Sequence, residues 1–178
     1  MTGMFGSLVT VPAAGRPDLL AAPVAGAIGM VSAAEVVEID PDLADTAALC
    51  AAYDLPLETS ANCVVVTGRR AGIERHAACV VLANTKADVN GFVRRRLDAR
   101  KASFAGTDFA VAATGMEYGG ITPVGLPADW LLLVDAAVID TPVVVVGSGL
   151  RRSKLVLPGA ALAALPGAEV VPGLARIA

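Results

Sequence analysis

A glycine-rich segment at residues 114–125, with the sequence TGMEYGGITPVG, has the residue types best suited to hold a ligand. It contains four glycines and one proline. Glycine permits positive φ and lets a ligand approach the bare backbone, whereas proline fixes the local shape of the chain. This combination predicts a preorganised binding loop. The alternative interpretation is an ordinary surface turn, because glycine and proline mark loops of every kind.

A second glycine turn, at residues 147–149, follows a predicted aliphatic strand. A dinucleotide-binding loop would need a third glycine and a long helix after it, and the sequence has neither. Backbone amides next to basic side chains instead favour contact with a phosphate group. The turn consists of Gly147, Ser148 and Gly149, and the basic residues that follow are Arg151, Arg152 and Lys154.

Basic residues also cluster at positions 94–101, which include Arg94, Arg95 and Lys101. One interpretation is that both basic clusters are solvated surfaces. If both instead flank the glycine loop, they form an electropositive rim on an acidic protein. Such a rim would hold a nucleic-acid backbone through phosphate contacts, with little reading of sequence.

Several common catalytic arrangements are missing from the sequence. His76 is the single histidine and is predicted to lie in a polar hairpin turn, and no Gly-x-Ser-x-Gly motif occurs. The three cysteines, Cys50, Cys63 and Cys79, share no close spacing. No residues have the spacing of metal ligands. We therefore expect no nucleophile triad, no metal and no cofactor.

Composition predicts one domain with an aliphatic core. The chain has 178 residues, of which 55% are hydrophobic and only 4% aromatic, and its formal net charge is −3. An odd number of unpatterned cysteines is typical of reduced thiols in a cytoplasmic protein. The apolar stretch at residues 19–34 is interrupted by Pro23 and is too short for a membrane span. We expect no export signal and no membrane contact.

The predicted elements alternate between strands and isolated helices, which indicates an α+β domain. Asp40 is expected to cap a helix that ends near Tyr53, and Asp88 a second helix. Strands at 62–67 and 77–84 should form a hairpin across a polar turn. A third helix should span 107–114 and stop at Gly115. Further strands are predicted at 131–134, 143–146, 155–157 and 169–171, with a small helix at 160–165.

In their order along the chain, these motifs resemble the YbaK/EbsC family of aminoacyl-tRNA deacylases, which includes the prolyl-tRNA editing domains. The resemblance covers residues 38–174 and is strongest in the Gly-x-x-x-Pro element from Gly119 to Pro123. The other matching segments are residues 42–47, 55–61, 86–90, 101–105, 132–135 and 147–149.

The resemblance implies a YbaK-like single α+β domain, with a mixed, curved β-sheet flanked by helices. Residues 39–178 would form this domain. Residues 1–38 would be an N-terminal extension packed on it, and the apolar surface of that extension could support a homodimer. The expected location is cytoplasmic.

The resemblance also implies a hydrolase acting in trans on the ester between a wrong amino acid and the 3′ end of a tRNA. Backbone amides of the glycine loop would stabilise the oxyanion, and a water helped by the ribose hydroxyl would attack. The alternative is a binding protein on the same scaffold that recognises a tRNA 3′ end or an aminoacyl-adenosine-like ligand. The implied substrate-binding residues are Gly119, Gly120, Ile121, Thr122, Pro123, Gly147, Ser148 and Gly149. The implied tRNA-binding residues are Arg94, Arg95, Lys101, Arg151, Arg152 and Lys154.

One departure from the family pattern affects the site. The family usually has a lysine where the first strand of the hairpin begins, and Asn62 stands at that position. A neutral amide in place of an ammonium group loses a charge-assisted hydrogen bond, worth about 1.5–3 kcal/mol. Either Asn62 is the catalytic residue and orients a different substrate, or another cation such as Lys86 or Lys101 reaches the pocket, or hydrolysis is lost. Asn62 could also be a strand residue without a role.

Overall fold

The computed structural model describes residues 3–178, which form twelve strands and five α-helices. The strands are β1 (Gly3–Phe5), β2 (Leu8–Pro12), β3 (Glu35–Glu38), β4 (Ala61–Arg70), β5 (Ile73–Leu82), β6 (Thr85–Ala87), β7 (Lys101–Phe104), β8 (Leu131–Asp135), β9 (Val144–Gly147), β10 (Ser153–Leu157), β11 (Ala168–Val171) and β12 (Ala175–Ile177). The helices are α1 (Ala22–Ala27), α2 (Thr46–Tyr53), α3 (Arg94–Arg96), α4 (Thr107–Thr114) and α5 (Ala136–Ile139). Shorter turns of 3₁₀ or π-helix lie between them.

Two five-stranded sheets make up most of the fold. The first has the order β1-β2-β3-β10-β9 and is antiparallel throughout. The second has the order β11-β8-β5-β4-β7 and is mixed, because β8 runs parallel to both of its neighbours. A parallel bridge between Ser60 and Val145 brings the start of β4 beside β9. The predicted α+β class with a mixed sheet is confirmed.

The apolar residues are divided into layers by these sheets. The main core lies between them and includes Val146 and Leu155 from the first sheet and Val80 and Val134 from the second. The opposite face of the first sheet packs on α2, where Leu49 is fully buried. Strand residues alternate between faces, and both faces of each sheet meet a cluster of buried apolar residues, so the buried strands β8, β9 and β10 are largely apolar.

The hairpin of β4 and β5 has a tighter turn than the sequence suggested. Only Ala71 and Gly72 separate the strands, and both have positive φ, as a two-residue hairpin turn of matching twist requires. The strands therefore extend to Arg70 and begin again at Ile73. His76 consequently lies within β5 opposite Thr67, not in a turn, and its Nδ1 is 3.1 Å from the Thr67 hydroxyl.

The two helices predicted from aspartate caps are shorter than expected. Asp40 does accept a hydrogen bond from the Asp42 N–H, but only a 3₁₀ turn follows it, and α2 starts afresh at Thr46. Asp88 caps one turn of π-helix, by accepting from the N–H groups of Gly91 and Phe92, before α3 adds a single turn. The prediction of α4, ended by Gly115 in the left-handed conformation, is confirmed.

The described part of the first 38 residues contributes strands to the first sheet. β2 pairs with β3, and β3 pairs with β10, so the predicted boundary at residue 38 falls at the end of a strand inside this sheet. A dimer through this segment stays a prediction. Within residues 3–178, no helix has the length and apolar character that crossing a membrane requires.

Candidate functional site

A cavity of about 270 Å³ opens where the start of β4, the start of α2, the end of β9 and the glycine loop meet. Polar groups and bare backbone both reach its surface. Its wall includes Thr46, Asn62, Cys63, Gly119, Gly147 and Lys154. The cavity therefore lies at the segment that the sequence marked as a binding loop.

The two glycine segments form one backbone network beside this cavity. The Gly149 N–H donates to the Gly120 carbonyl (2.7 Å), and the Glu117 N–H donates to the Gly149 carbonyl (2.8 Å). A Cβ atom at Gly120 would lie 2.8 Å from backbone atoms of Leu150. Only glycine permits so close an approach. The glycines of the two segments therefore allow their backbones to pack directly against each other.

Arg151 fastens this network to the segment that leads into α2. Its guanidinium donates to the Tyr118 carbonyl (3.2 Å) and to the Pro41 carbonyl (3.1 Å), while its own N–H donates to the Glu117 carboxylate (2.9 Å). The planar fork of an arginine holds two carbonyls in a fixed geometry, which the flexible ammonium group of a lysine does not provide. Arg151 thereby holds two walls of the cavity together.

Asn62 lies in the cavity wall at the start of β4. Its side-chain oxygen accepts a hydrogen bond from the Thr46 hydroxyl (2.8 Å), at the first residue of α2. This bond uses the acceptor of the amide and leaves its NH₂ group as a donor. Asn62 can therefore orient a ligand oxygen, but it brings no charge.

Lys154 brings a positive charge into the same cavity. It lies on β10, is only 7% exposed, and its Nζ is 3.4 Å from the Gly119 carbonyl. Burial lowers the pKa of Lys154, and the nearby charge of Arg151 lowers it further, whereas Asp45 and Cys50 act in the opposite direction. The sequence predicted Lys154 in a solvated turn or an electropositive rim, whereas the structure buries it in the cavity wall.

Cys63 is the one thiol in the cavity wall among the described residues. Burial raises the pKa of the Cys63 thiol far above its ordinary value, with a smaller contribution from Cys79, whose own pKa burial raises to about 12. The thiolate is the nucleophilic form of cysteine. A protonated thiol at neutral pH therefore makes covalent catalysis by Cys63 unfavourable.

The predicted substrate-binding residues divide into two groups. Gly119, Ile121 and Gly147 line the cavity. The other five, Gly120, Thr122, Pro123, Ser148 and Gly149, lie behind its surface. Ser148 is fully buried, and its hydroxyl bonds to that of Ser153 (2.7 Å), so it supports the turn rather than facing a ligand.

The two predicted basic clusters do not form one rim. Lys101 pairs with Arg69 near the far end of β4, seven residues from Asn62, or about 23 Å along an extended strand. A separate cleft there is lined by Arg69, Arg94, Arg100 and Lys101, while Arg95 is exposed nearby in α3. On the cavity side, Arg152 is exposed and donates to the Asp18 carbonyl.

Two other lysines, which the sequence suggested could supply the charge missing at position 62, lie outside the cavity. Lys86 is exposed on β6 and Lys101 is exposed on β7, and neither lines the cavity. Sequence reasoning also missed Thr46 and Asp45, which line the cavity because α2 starts later than predicted. The fold and this cavity together define a single-domain α+β protein whose cavity is lined by glycine backbone, an amide and a lysine.

The aminoacyl-tRNA editing domain family is the family whose model matches this sequence, over residues 40–165. Because the match spans well over half of the chain, the protein belongs to that family. No protein in the curated collection of sequences matches it.

Solved structures share the fold. The crystal structure of a proposed trans-editing enzyme for prolyl-tRNA synthetase superposes with a TM-score of 0.71 at 22% identity, and the match covers 85% of this chain and 94% of that one. A protein described only as hypothetical gives a TM-score of 0.69 at 20% identity, over 79% and 90% of the two chains. A scaffold protein used for epitope grafting gives 0.71 at 23% identity, over 85% and 95%.

Proposed function

We propose that this protein hydrolyses the ester bond of mischarged aminoacyl-tRNA, acting in trans as a deacylase. The observation that carries this proposal is the position of the cavity: it lies against the glycine loop of an aminoacyl-tRNA editing domain and holds donors on two sides. An ester is an activated bond, so a positioned water and donors for the developing oxyanion are sufficient for hydrolysis.

The size of the cavity favours a small amino-acid side chain. At about 270 Å³, it is smaller than the roughly 300–1,000 Å³ of pockets that enclose a drug-sized ligand. An aminoacyl group fits inside, whereas the terminal adenosine would lie at the mouth, beside the exposed Tyr118.

The test is deacylation of a panel of correctly charged and mischarged tRNAs by the purified protein. We expect selective release of one small, mischarged amino acid. Asn62→Ala should slow that release about two- to tenfold, because it removes one neutral hydrogen bond of about 0.5–1.5 kcal/mol. A rate unchanged by Asn62→Ala would exclude a role for the amide.

A specific observation supports a second candidate function. Asn62 replaces the lysine that the family resemblance led us to expect, and its oxygen is already bonded to Thr46. The protein could therefore bind a tRNA 3′ end without hydrolysing it. This alternative predicts that no member of the panel is deacylated, while a non-hydrolysable aminoacyl-adenosine analogue still binds.

The cleft at the far end of β4 is our proposed contact for the tRNA backbone. It holds four basic residues, and Lys101 is exposed. Lys101→Glu should weaken tRNA binding and reduce the slope of log affinity against log salt by about one, because roughly one counterion is released per phosphate contact. The measurement is a salt titration of the tRNA Kd.

Lys86→Glu is the matched control for that titration, since it makes the same charge change at an exposed lysine outside the cleft. It should leave the slope unchanged. Equal slopes for both variants would show that the cleft does not contact tRNA. Hydrolysis of a minimal aminoacyl-adenosine substrate, which lacks the tRNA body, should not respond to either change.

A further inference from the structure

We infer that Lys154 is the cation of this site, and that its ammonium group contacts the carbonyl oxygen of the bound ester from β10, across the cavity from Asn62. The inference rests on the proposed function. It identifies a residue that replaces, from a different strand, the lysine missing at position 62.

The chain has three lysines, and their burial separates them clearly. Lys86 and Lys101 are exposed, whereas Lys154 is buried and lines the cavity. A lysine side chain is usually exposed because burying an ammonium group costs free energy unless partners compensate it. Lys154 is the buried one of the three lysines, and its burial therefore needs an explanation.

The partners of Lys154 within the protein do not fully satisfy it. An ammonium group has three donors, and the protein bond that Nζ makes is a long one, 3.4 Å to the Gly119 carbonyl. Among residues 3–178, no carboxylate forms an ion pair with it. Asp45 attracts the charge from the cavity wall without such contact. Two donors remain for a group that enters the cavity.

The strand register places Lys154 and Asn62 on either side of one glycine. Lys154 pairs with Gly147 of β9. The parallel bridge between Ser60 and Val145 brings the start of β4 beside β9, and Asn62 and Gly147, each two residues further along, both line the cavity. Two strand spacings separate Lys154 from Asn62, or about 10 Å between backbones. Because Gly147 has no side chain, the carbonyls of Gly120 and Ile121 pack directly over it, and Lys154 and Asn62 both reach the cavity beside them.

Two amides of the glycine segments, both behind the cavity surface, already have partners. The Gly120 N–H donates to the Glu117 carbonyl (2.9 Å), and the Gly149 N–H donates to the Gly120 carbonyl. The carbonyls of Gly120 and Ile121 approach Gly147 closely, and they are acceptors, which would repel an oxyanion. Among the lysines, Lys154 is the one that lines the cavity and can offer a charged donor to the developing oxyanion.

In the proposed ester hydrolysis, Lys154 acts only as a charged hydrogen-bond donor. The oxygen of water bonds to the ester carbon, and the π pair of the carbonyl moves onto its oxygen, where the Lys154 ammonium donates a hydrogen bond. The pair then returns, the bond from carbon to the ribose oxygen breaks, and that oxygen takes the proton released by water. The products are the free amino acid and a tRNA with its 3′ end restored. Lys154 keeps its proton.

The test is single-turnover deacylation of the mischarged tRNA that the native protein hydrolyses fastest. Lys154→Met keeps the length of the side chain and should slow hydrolysis about ten- to a hundredfold, the loss of one charge-assisted bond. Adding Asn62→Lys to Lys154→Met should restore at least tenfold, since it returns a cation to the same cavity. Lys86→Met is the matched control and should leave the rate unchanged.

Each remaining outcome decides a different question. A native-like rate for folded Lys154→Met overturns the inference and leaves the proposed function standing, with Lys154→Gln as the second variant if the methionine protein does not fold. If the native protein deacylates nothing, the proposed function fails, and the Kd of a non-hydrolysable aminoacyl-adenosine analogue then tests Lys154. In that case, an unchanged Kd in both Lys154 variants overturns the inference. A tenfold higher Kd supports Lys154 as a cation that binds the ligand.

Discussion

Gly147→Ala is expected to destabilise the fold by about 1–3 kcal/mol, the usual cost of forcing an extra carbon into a packed site, and to reduce deacylation at least tenfold. A Cβ atom at this position would collide with the carbonyl oxygens of Gly120 and Ile121. Both are backbone atoms, so no side chain can rotate away. The glycine loop itself would have to move, and with it the part of the cavity wall that Gly119 and Ile121 form.

Urea unfolding and the deacylation rate, measured on the same preparations, check this prediction. Gly26→Ala is the matched control: Gly26 is exposed in α1, and a Cβ atom there meets nothing within 4 Å. It should be neutral or stabilise the helix by about 0.5–1 kcal/mol. If Gly147→Ala were as stable and as active as Gly26→Ala, the close contact between the turn and the loop would not shape the cavity.

The elements that local sequence determines were predictable. The hairpin of β4 and β5 and helix α4 follow from runs of apolar residues and from glycines at the required positive φ. The helices expected after Asp40 and Asp88 were overextended, because a cap specifies where a helix begins but not how far it continues. Tertiary packing decided those lengths, and packing is not a local property.

The cavity was predictable in part. The glycine loop and Asn62 were identified, since their residue types and order carry the family resemblance, and both are found in the cavity wall. The burial of Lys154 in the cavity was missed because the residue follows two arginines and was interpreted with them. Its local sequence, SKLVL, held a signal: a lysine inside an otherwise apolar strand of five residues. All five are buried, which periodicity alone does not reveal for a strand covered on both faces.

The separation of the basic clusters could not have been predicted from the sequence alone. Lys101 and Arg151 are both near glycine-loop residues in the chain order, yet Lys101 pairs with the distal end of β4. That distance depends on which strands pair, and pairing between strands far apart in sequence is set by the whole core. A tRNA that contacts both regions would have to extend about 23 Å along β4, which suits an extended acceptor arm rather than a free aminoacyl nucleotide.

The second large effect is expected from Arg151→Ala, which should lower kcat/KM about ten- to a hundredfold. The change removes two hydrogen bonds from a charged donor, to the carbonyls of Tyr118 and Pro41, each worth about 1.5–3 kcal/mol where it is shielded from water and less where it is exposed. The backbone bond from residue 151 to Glu117 remains. The loss should therefore be local, with the loop and the start of α2 released from each other while the sheets persist.

Hydrogen exchange distinguishes this positioning role from direct contact with substrate. In Arg151→Ala, the amides of residues 117–120 should exchange faster, in step with the opening of the loop. Arg151→Lys should not restore protection, because one ammonium group cannot hold two carbonyls in a fixed fork. Arg152→Ala is the neighbouring control: its guanidinium contacts the Asp18 carbonyl and not the loop, so exchange at residues 117–120 should stay native.

Unchanged exchange in Arg151→Ala, together with a large loss of activity, would mean that Arg151 touches the tRNA itself. The hydrogen bonds that Arg151 makes between the glycine loop and the segment before α2 would then be incidental to catalysis.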